Sequence, residues 1–418
     1  MQERKVNRLN STSLIRPMID EHWESLRKAK ERGQKTVWCA GVPSILTSAM
    51  GIPTHLMPGF GSYCAATKGI EPLLEAAEAD GQLIETCSYH RLHMGLLALH
   101  RKQLPIRDDL NLPVPDLMVV PRGCTEQSHY ADAVHRYSGV PVVCIDMPPP
   151  HRGSDIPSNI NYMERQLKEE AIPAIEKLLG RRYDFDKLSE MMATVKQVGI
   201  LREECLALNK NIPAPWTLVD IAVSLGPVTI FPGKPGTVEF YQAVKAELEE
   251  RVKNKVGALP TEKYRLYWDA MIMWGWLGMI SRRFASWDTV LVAGRYPWEF
   301  WPYPERIEPS DPLRSLAEQL ILMFHKQPPQ NAIPYLTGLI KDYSIDGAVI
   351  FSPRTCRLFG IAAPELANHI VRKLGVPTVV IDADVVDPKF FSEAQVNTRL
   401  QALFEMMEAR RAHSGGVR

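Results

Sequence analysis

Three cysteines in this 418-residue chain stand where they could do chemistry together. Asp116 to Cys124 reads D-L-M-V-V-P-R-G-C, and Asp346 to Cys356 reads D-G-A-V-I-F-S-P-R-T-C. Each is a short apolar run, the signature of a buried strand, ending in Pro-Arg-x-Cys as the strand runs out. The third, Cys87, sits in Ile84-Glu-Thr-Cys-Ser-Tyr-His-Arg91, read here as another strand-to-helix turn. Three thiolates brought to equivalent points of a layered fold can share one metal centre. On a four-iron cube they would leave one iron without a cysteine, free to take water, a carbonyl oxygen or a partner ligand. Arg91, Arg122, Arg354 and Arg357 each lie within four residues of one of these cysteines and are expected to favour the thiolates. Zinc on Cys87, His90 and His93 is the competing assignment, from a C-x-x-H-x-x-H spacing that puts all three on one helical face. It leaves Cys124 and Cys356 unexplained. Each cysteine taken singly also fits plain core packing.

The elements that must position these residues repeat. Both Pro-Arg-x-Cys turns are followed, after a helix-length spacer, by a near-copy strand: Gly139-Val-Pro-Val-Val-Cys-Ile-Asp146 and Gly375-Val-Pro-Thr-Val-Val-Ile-Asp382. Trp38 to Trp268 is 230 residues and Cys124 to Cys356 is 232. The pattern predicts an α/β fold of two duplicated flavodoxin- or Rossmann-like parallel-sheet units with a helical insert: a first α/β domain over 1–152 with an N-terminal helix, a helical segment over 153–257, and a second α/β domain over 258–418. The break at Met147-Pro-Pro-Pro-His-Arg-Gly153 marks the first boundary. Strands are expected at Lys35–Ala40, Gly51–Met57, Lys263–Trp268 and Trp287–Ala293, and helices over 12–33, 43–50 and 61–80. Another helix is capped at Asp186, with Leu188, Met191, Val195, Val198, Leu201, Cys205 and Leu208 on its buried face. Further helices are expected at Trp216–Leu225, Val238–Val252 and Leu313–Phe324, and a frayed tail over 414–418. In open parallel sheets ligands gather beyond the carboxyl ends of the strands, where both Pro-Arg-x-Cys turns fall.

A formal net charge of +1 gives no electrostatic reason to expect nucleic acid or a membrane surface. The opening Met1-Gln-Glu-Arg-Lys lacks the layout of a secretory leader, and the longest apolar window, Ala270 to Ile280, is too short to cross a bilayer. A cytoplasmic address is expected, where seven cysteines without a C-x-x-C pair suggest metal or redox work rather than disulfides. Phe231-Pro-Gly-Lys-Pro-Gly-Thr237 has the ingredients of a phosphate loop in the wrong order, and its prolines remove the needed N–H donors. Nucleotide energy must therefore come from another protein. Arg295, Tyr296, Trp298 and Trp301 lie in a stiff aromatic stretch just after a strand, and are candidates to contact a flat apolar substrate.

Four pieces, Glu85–Arg91, Leu117–Gln127, Asp346–Arg357, and Asp382-Ala-Asp384 with Phe391–Arg399, together resemble the benzoyl-CoA reductase / 2-hydroxyacyl-CoA dehydratase family over most of the chain. The resemblance implies a [4Fe-4S] cluster on Cys87, Cys124 and Cys356, a homologous iron-sulfur partner subunit, a CoA-thioester substrate, and electrons from a separate ATP-dependent iron-sulfur activase. In the reductase branch the thioester carbonyl of a benzoyl-type substrate accepts an electron as a ketyl; in the dehydratase branch the same ketyl expels a 2-hydroxyl and the electron is recycled. Dehydratase-like members often carry Pro-Glu where this chain has Pro58-Gly59, so aryl-CoA reduction is the expectation, with 2-hydroxyacyl-CoA dehydration the alternative. A homodimeric reductase of small molecules with a larger cluster would need Cys39 or Cys64 as extra ligands; both are expected to pack instead.

Overall fold

The computed structural model describes residues 6–41, 43–148, 155–323 and 328–413. Eight strands form two four-stranded sheets, each wholly parallel. The first contains β1 (Val37–Cys39), β2 (Thr54–Leu56), β3 (Leu117–Arg122) and β4 (Val142–Asp146) in the order β2-β1-β3-β4. The second contains β5 (Tyr264–Asp269), β6 (Thr289–Gly294), β7 (Gly347–Pro353) and β8 (Thr378–Ala383) in the order β6-β5-β7-β8. The two orders are the same pattern, and the two tryptophans fall on corresponding strands, Trp38 opposite Met118 and Trp268 opposite Val349. Duplication is thus visible in the topology as well as in the wording of the sequence.

Both faces of each sheet are covered, which is why the central strands are buried almost continuously rather than at alternate residues, Arg265 and Asp269 of β5 included. Val37, Cys39, Leu117 and Val119 share one core with Tyr267, Val290, Ala348 and Ile350 and with the helical stretch between the sheets, including Val195, Cys205 and Tyr241. Trp38, Met118 and Val120 point the other way, into a second core with Trp268, Val349 and Phe351. The helical stretch therefore packs against both sheets rather than standing apart. Its long helix, Phe185–Leu208, buries Leu188, Met191, Val195, Val198 and Cys205 as the periodicity demands and leaves Leu201 and Leu208 half-buried, but its cap is Asp184, which accepts from Lys187 N, not Asp186.

Other differences have local causes. The helix expected over 61–80 is two, Met57–Ala66 and Ile70–Ala79, broken where Lys68 adopts φ +53° and Gly69 caps the second. Cys64 consequently lies inside a helix rather than at its start. No strand precedes Cys87; residues 80–87 are turns and extended backbone. The N-terminal helix ends at Arg27, with turns continuing to Gly33. The expected break at 147–153 and the end of the helix at Phe324 fall partly, and the tail at 414–418 wholly, outside the described residues. Among the described residues no helix is long and apolar enough to cross a membrane.

Candidate metal and substrate site

Cys87, Cys124 and Cys356 each occupy the residue immediately before a helix: Ser88–Lys102, Thr125–Ser138 and the single turn Arg357–Gly360. The recurrence of proline three residues ahead of the latter pair has a simple reason. On β3 the ladder to β1 ends at Val119, and on β7 the ladder to β5 ends at Ile350, so Pro121 and Pro353 lie past the point where an inner N–H would be needed on that side. The chain can turn there without breaking a central strand.

Hydrogen bonds lock the three turns to one another. Cys87 N donates to Glu126 Oε2 at 2.9 Å, tying the first turn to the second. Ser88 N donates to Thr355 Oγ1 at 3.1 Å, tying the first to the third. Thr355 Oγ1 in turn donates to Asp384 Oδ2 at 2.6 Å, while Asp384 Oδ1 accepts from Val386 N and Asp387 N at 3.1 and 3.0 Å. Gly123 N donates to Gln127 Oε1, and Gln127 Nε2 donates to Ala40 O, both at 3.0 Å. Glu126, Gln127 and Thr355 were not singled out from sequence, although all three lie within the family-like stretches; Asp384 closes the Asp382-Ala-Asp384 motif.

The three cysteines line one cavity of about 400 Å³. Its wall also carries His90, Tyr89, Trp274, Tyr296 and Phe300, and among the described residues no Asp, Glu, Lys or Arg lines it. Trp274 Nε1 donates to Tyr89 Oη at 2.9 Å, joining the two halves of the molecule across this wall. Of the four substrate candidates only Tyr296 reaches the cavity. Arg295 is buried behind it in a bidentate pair with Asp269 at 3.0 and 2.9 Å, Trp298 Nε1 donates to Tyr343 Oη at 3.3 Å, and Trp301 Nε1 donates to Val228 O at 2.8 Å.

Three of the four arginines near the cysteines are also committed elsewhere. Arg91 is fully buried and paired with Asp387, with a further bond to Ile84 O at 2.7 Å. Arg122 Nε donates to Ser128 Oγ at 3.2 Å, Arg354 pairs with Asp382 at 2.6 Å, and Arg357 is exposed. The expectation that they ease thiolate formation is corrected: burial, reinforced by the neighbouring sulfurs, raises the Cys87 thiol well above its ordinary value and pushes Cys356 up to about 12. Removal from water outweighs the helix N-terminus beneath each sulfur. Cys39 is likewise pushed up to about 12 by burial, and Cys64 is raised, each packed within a core.

The zinc trio does not assemble. His93 shares a hydrogen bond with His55 at 2.8 Å and another with Tyr89 O at 2.6 Å, while a nitrogen of His90, the Cys87 sulfur and a Glu126 oxygen lie within 4.8 Å of one another. The three cysteines, drawn from three separate segments, share the wall of one cavity that no charged side chain lines among the described residues, and thiols are the donor type that suits a thiophilic metal or iron–sulfur group.

The 2-hydroxyglutaryl-CoA dehydratase, D-component, family model matches residues 39–407. The chain is 26% identical over 420 residues to the (R)-2-hydroxyisocaproyl-CoA dehydratase alpha subunit of Clostridioides difficile, covering 100% of each. It is 28% identical over 402 residues to the lactoyl-CoA dehydratase alpha subunit of Anaerotignum propionicum, covering 93% of this chain and 94% of the relative. It is also 25% identical over 408 residues to a benzoyl-CoA reductase subunit of Thauera aromatica, covering 94% of each. With most of its length matched, cysteine turns included, the chain belongs to the 2-hydroxyglutaryl-CoA dehydratase, D-component, family.

Proposed function

We propose that this chain is the iron–sulfur catalytic subunit of a low-potential CoA-thioester enzyme, with Cys87, Cys124 and Cys356 holding a [4Fe-4S] cluster and an aryl-CoA ring as the group reduced. The observation that carries the substrate class is the cavity wall: aromatic, without a charged side chain among the described residues, and shared with the three cysteines. Bound there, such a cluster would offer one iron without a protein thiolate and one-electron transfer to a ligand on it. The protein's own part is positional. Tyr89, Trp274, Tyr296 and Phe300 give a flat ring apolar contact and keep water out. Burial holds the Tyr89 and Tyr296 phenols protonated, so each keeps an O–H to donate toward the substrate. The absent Pro-Glu carboxylate is sterically explained, because a Cβ at Gly59 would stand 2.9 Å from the Ile230 side chain. Electrons are supplied by an ATP-dependent activase, and a homologous subunit completes the enzyme; the naming of relatives as alpha subunits supports such a partner.

Dehydration of a 2-hydroxyacyl-CoA is the second reading, supported by the family model and by the dehydratase relatives. Anaerobically purified protein should contain about four iron and four sulfide per chain, lost in Cys87→Ser, Cys124→Ser and Cys356→Ser. With partner and activase, benzoyl-CoA should be consumed with stoichiometric electron uptake. Steady turnover of a 2-hydroxyacyl-CoA with no net electron consumption would replace ring reduction by dehydration. Iron content indifferent to Cys124 and Cys356 would sink both.

A further inference from the structure

One polar side chain on the cavity wall is left idle by this reading. His90 is buried, its ring lies flat on Tyr130 with centroids 4.3 Å apart and planes 11° from parallel, and its Nδ1 has no hydrogen-bond partner among the described residues. The nearest carboxylate oxygen, Glu126 Oε2, is 4.0 Å from Nδ1, too long for a hydrogen bond, and already accepts from Cys87 N. A buried polar nitrogen is rarely left unpaired without a reason. An imidazole ring carries an N–H that, once buried, calls for an acceptor. The Cys87 sulfur is within 4.8 Å of a ring nitrogen.

We propose that His90 donates its N–H to the sulfur ligands at Cys87 and thereby sets the reduction potential of the centre, acting as a positioning residue; this rests on the iron–sulfur reading above. The surroundings single it out. Arg91, Arg122 and Arg354 are engaged with Asp387, Ser128 and Asp382, so among the described residues no guanidinium lines the cavity to pull the potential up. Glu126, beside Cys87, opposes added negative charge on the site and works the other way. A ring N–H···S bond adds to the backbone N–H groups of His90, Leu358 and Phe359 that already serve the Cys87 and Cys356 sulfurs, and hydrogen bonds to cluster sulfurs are an established lever on potential. Tyr130 fixes the ring plane so that this donor keeps its direction.

The test is a redox titration of the reconstituted complex, followed by EPR, for wild type, His90→Phe and His90→Gln, each with its iron content. His90→Phe keeps the stacking on Tyr130 and removes the donor; its potential should fall with iron unchanged, and His90→Gln, which restores an N–H, should recover part of the fall. A second readout needs no variant: pulsed EPR of reduced wild-type protein carrying histidine labelled only in the imidazole ring should show a ring nitrogen coupled to the cluster, since His90 is the histidine lining the cavity among the described residues. Iron retained in His90→Phe with an unaltered potential would overturn the proposal, as would absence of that coupling. Absence of iron from the wild type would instead remove the iron–sulfur reading itself.

Discussion

Replacing Arg91 by Met separates two roles for a residue that sequence placed beside a cysteine and the structure places in a buried ion pair. Arg91 and Asp387 have no exposed side-chain surface, and their pair fastens the Cys87 helix to the segment after β8. Met keeps the apolar stem, so the main loss is the partner of a buried carboxylate. Breaking such a pair from one side costs about 3–5 kcal/mol. Asp387 retains a bond from Lys389 N at 2.9 Å, which places the expected cost near the lower end, about 3 kcal/mol. The assay is hydrogen exchange on cluster-free protein, because a chain of this size need not unfold in two states. A loss of about 3 kcal/mol in local opening accelerates exchange roughly 100-fold, and the change should centre on 84–91 and 384–389. The double variant Arg91→Met/Asp387→Asn should recover more than half of it, since the carboxylate then left without Arg91, Glu78, keeps its pair with Lys389. Exchange altered less than about fivefold, which is about 1 kcal/mol, together with a changed alkylation rate at Cys87, would refute the structural role and reinstate Arg91 as a support for the thiolate.

Three further outcomes follow. Burial holds His22 neutral with its pKa lowered to about 3, so the unfolded chain binds a proton below about 6.5 that the folded chain refuses; stability should be full above that value and fall as pH drops toward 3, and His22→Phe should flatten the slope in urea titrations between those limits. Gly95 lies where two helices cross, and a Cβ there would meet Leu73 O at 1.7 Å, so Gly95→Ala should cost about 3 kcal/mol or more and show as lost soluble yield or a lower melting temperature. Cys39→Ser and Cys64→Ser should leave iron per chain unchanged, because both thiols are buried in cores away from the three-cysteine cavity wall; loss of iron in either would favour the larger-cluster alternative.

The sequence by itself determined the duplicated α/β architecture and the three cysteines worth assembling. Strand identity lies in short apolar runs, and the repeat lies in matched wording about 230 residues apart, both local signals that survive without coordinates. The sequence also marked the buried face of the Phe185–Leu208 helix, since periodicity alone fixes which side faces inward. Tertiary structure decided what each side chain near the cysteines does. Arg91, Arg295, Trp298 and Trp301 looked available in sequence, and each has its polar group taken by a partner 26 to 296 residues away. Conversely Glu126 and Thr355, unremarkable as residue types, lock the cysteine turns together because folding brings their oxygens to the backbone N–H groups of Cys87 and Ser88. Spacing along the chain governs which residues share a helix face; the direction in which a long charged side chain finally points is set by the partner that relieves its burial, and that partner is known only once distant segments have met.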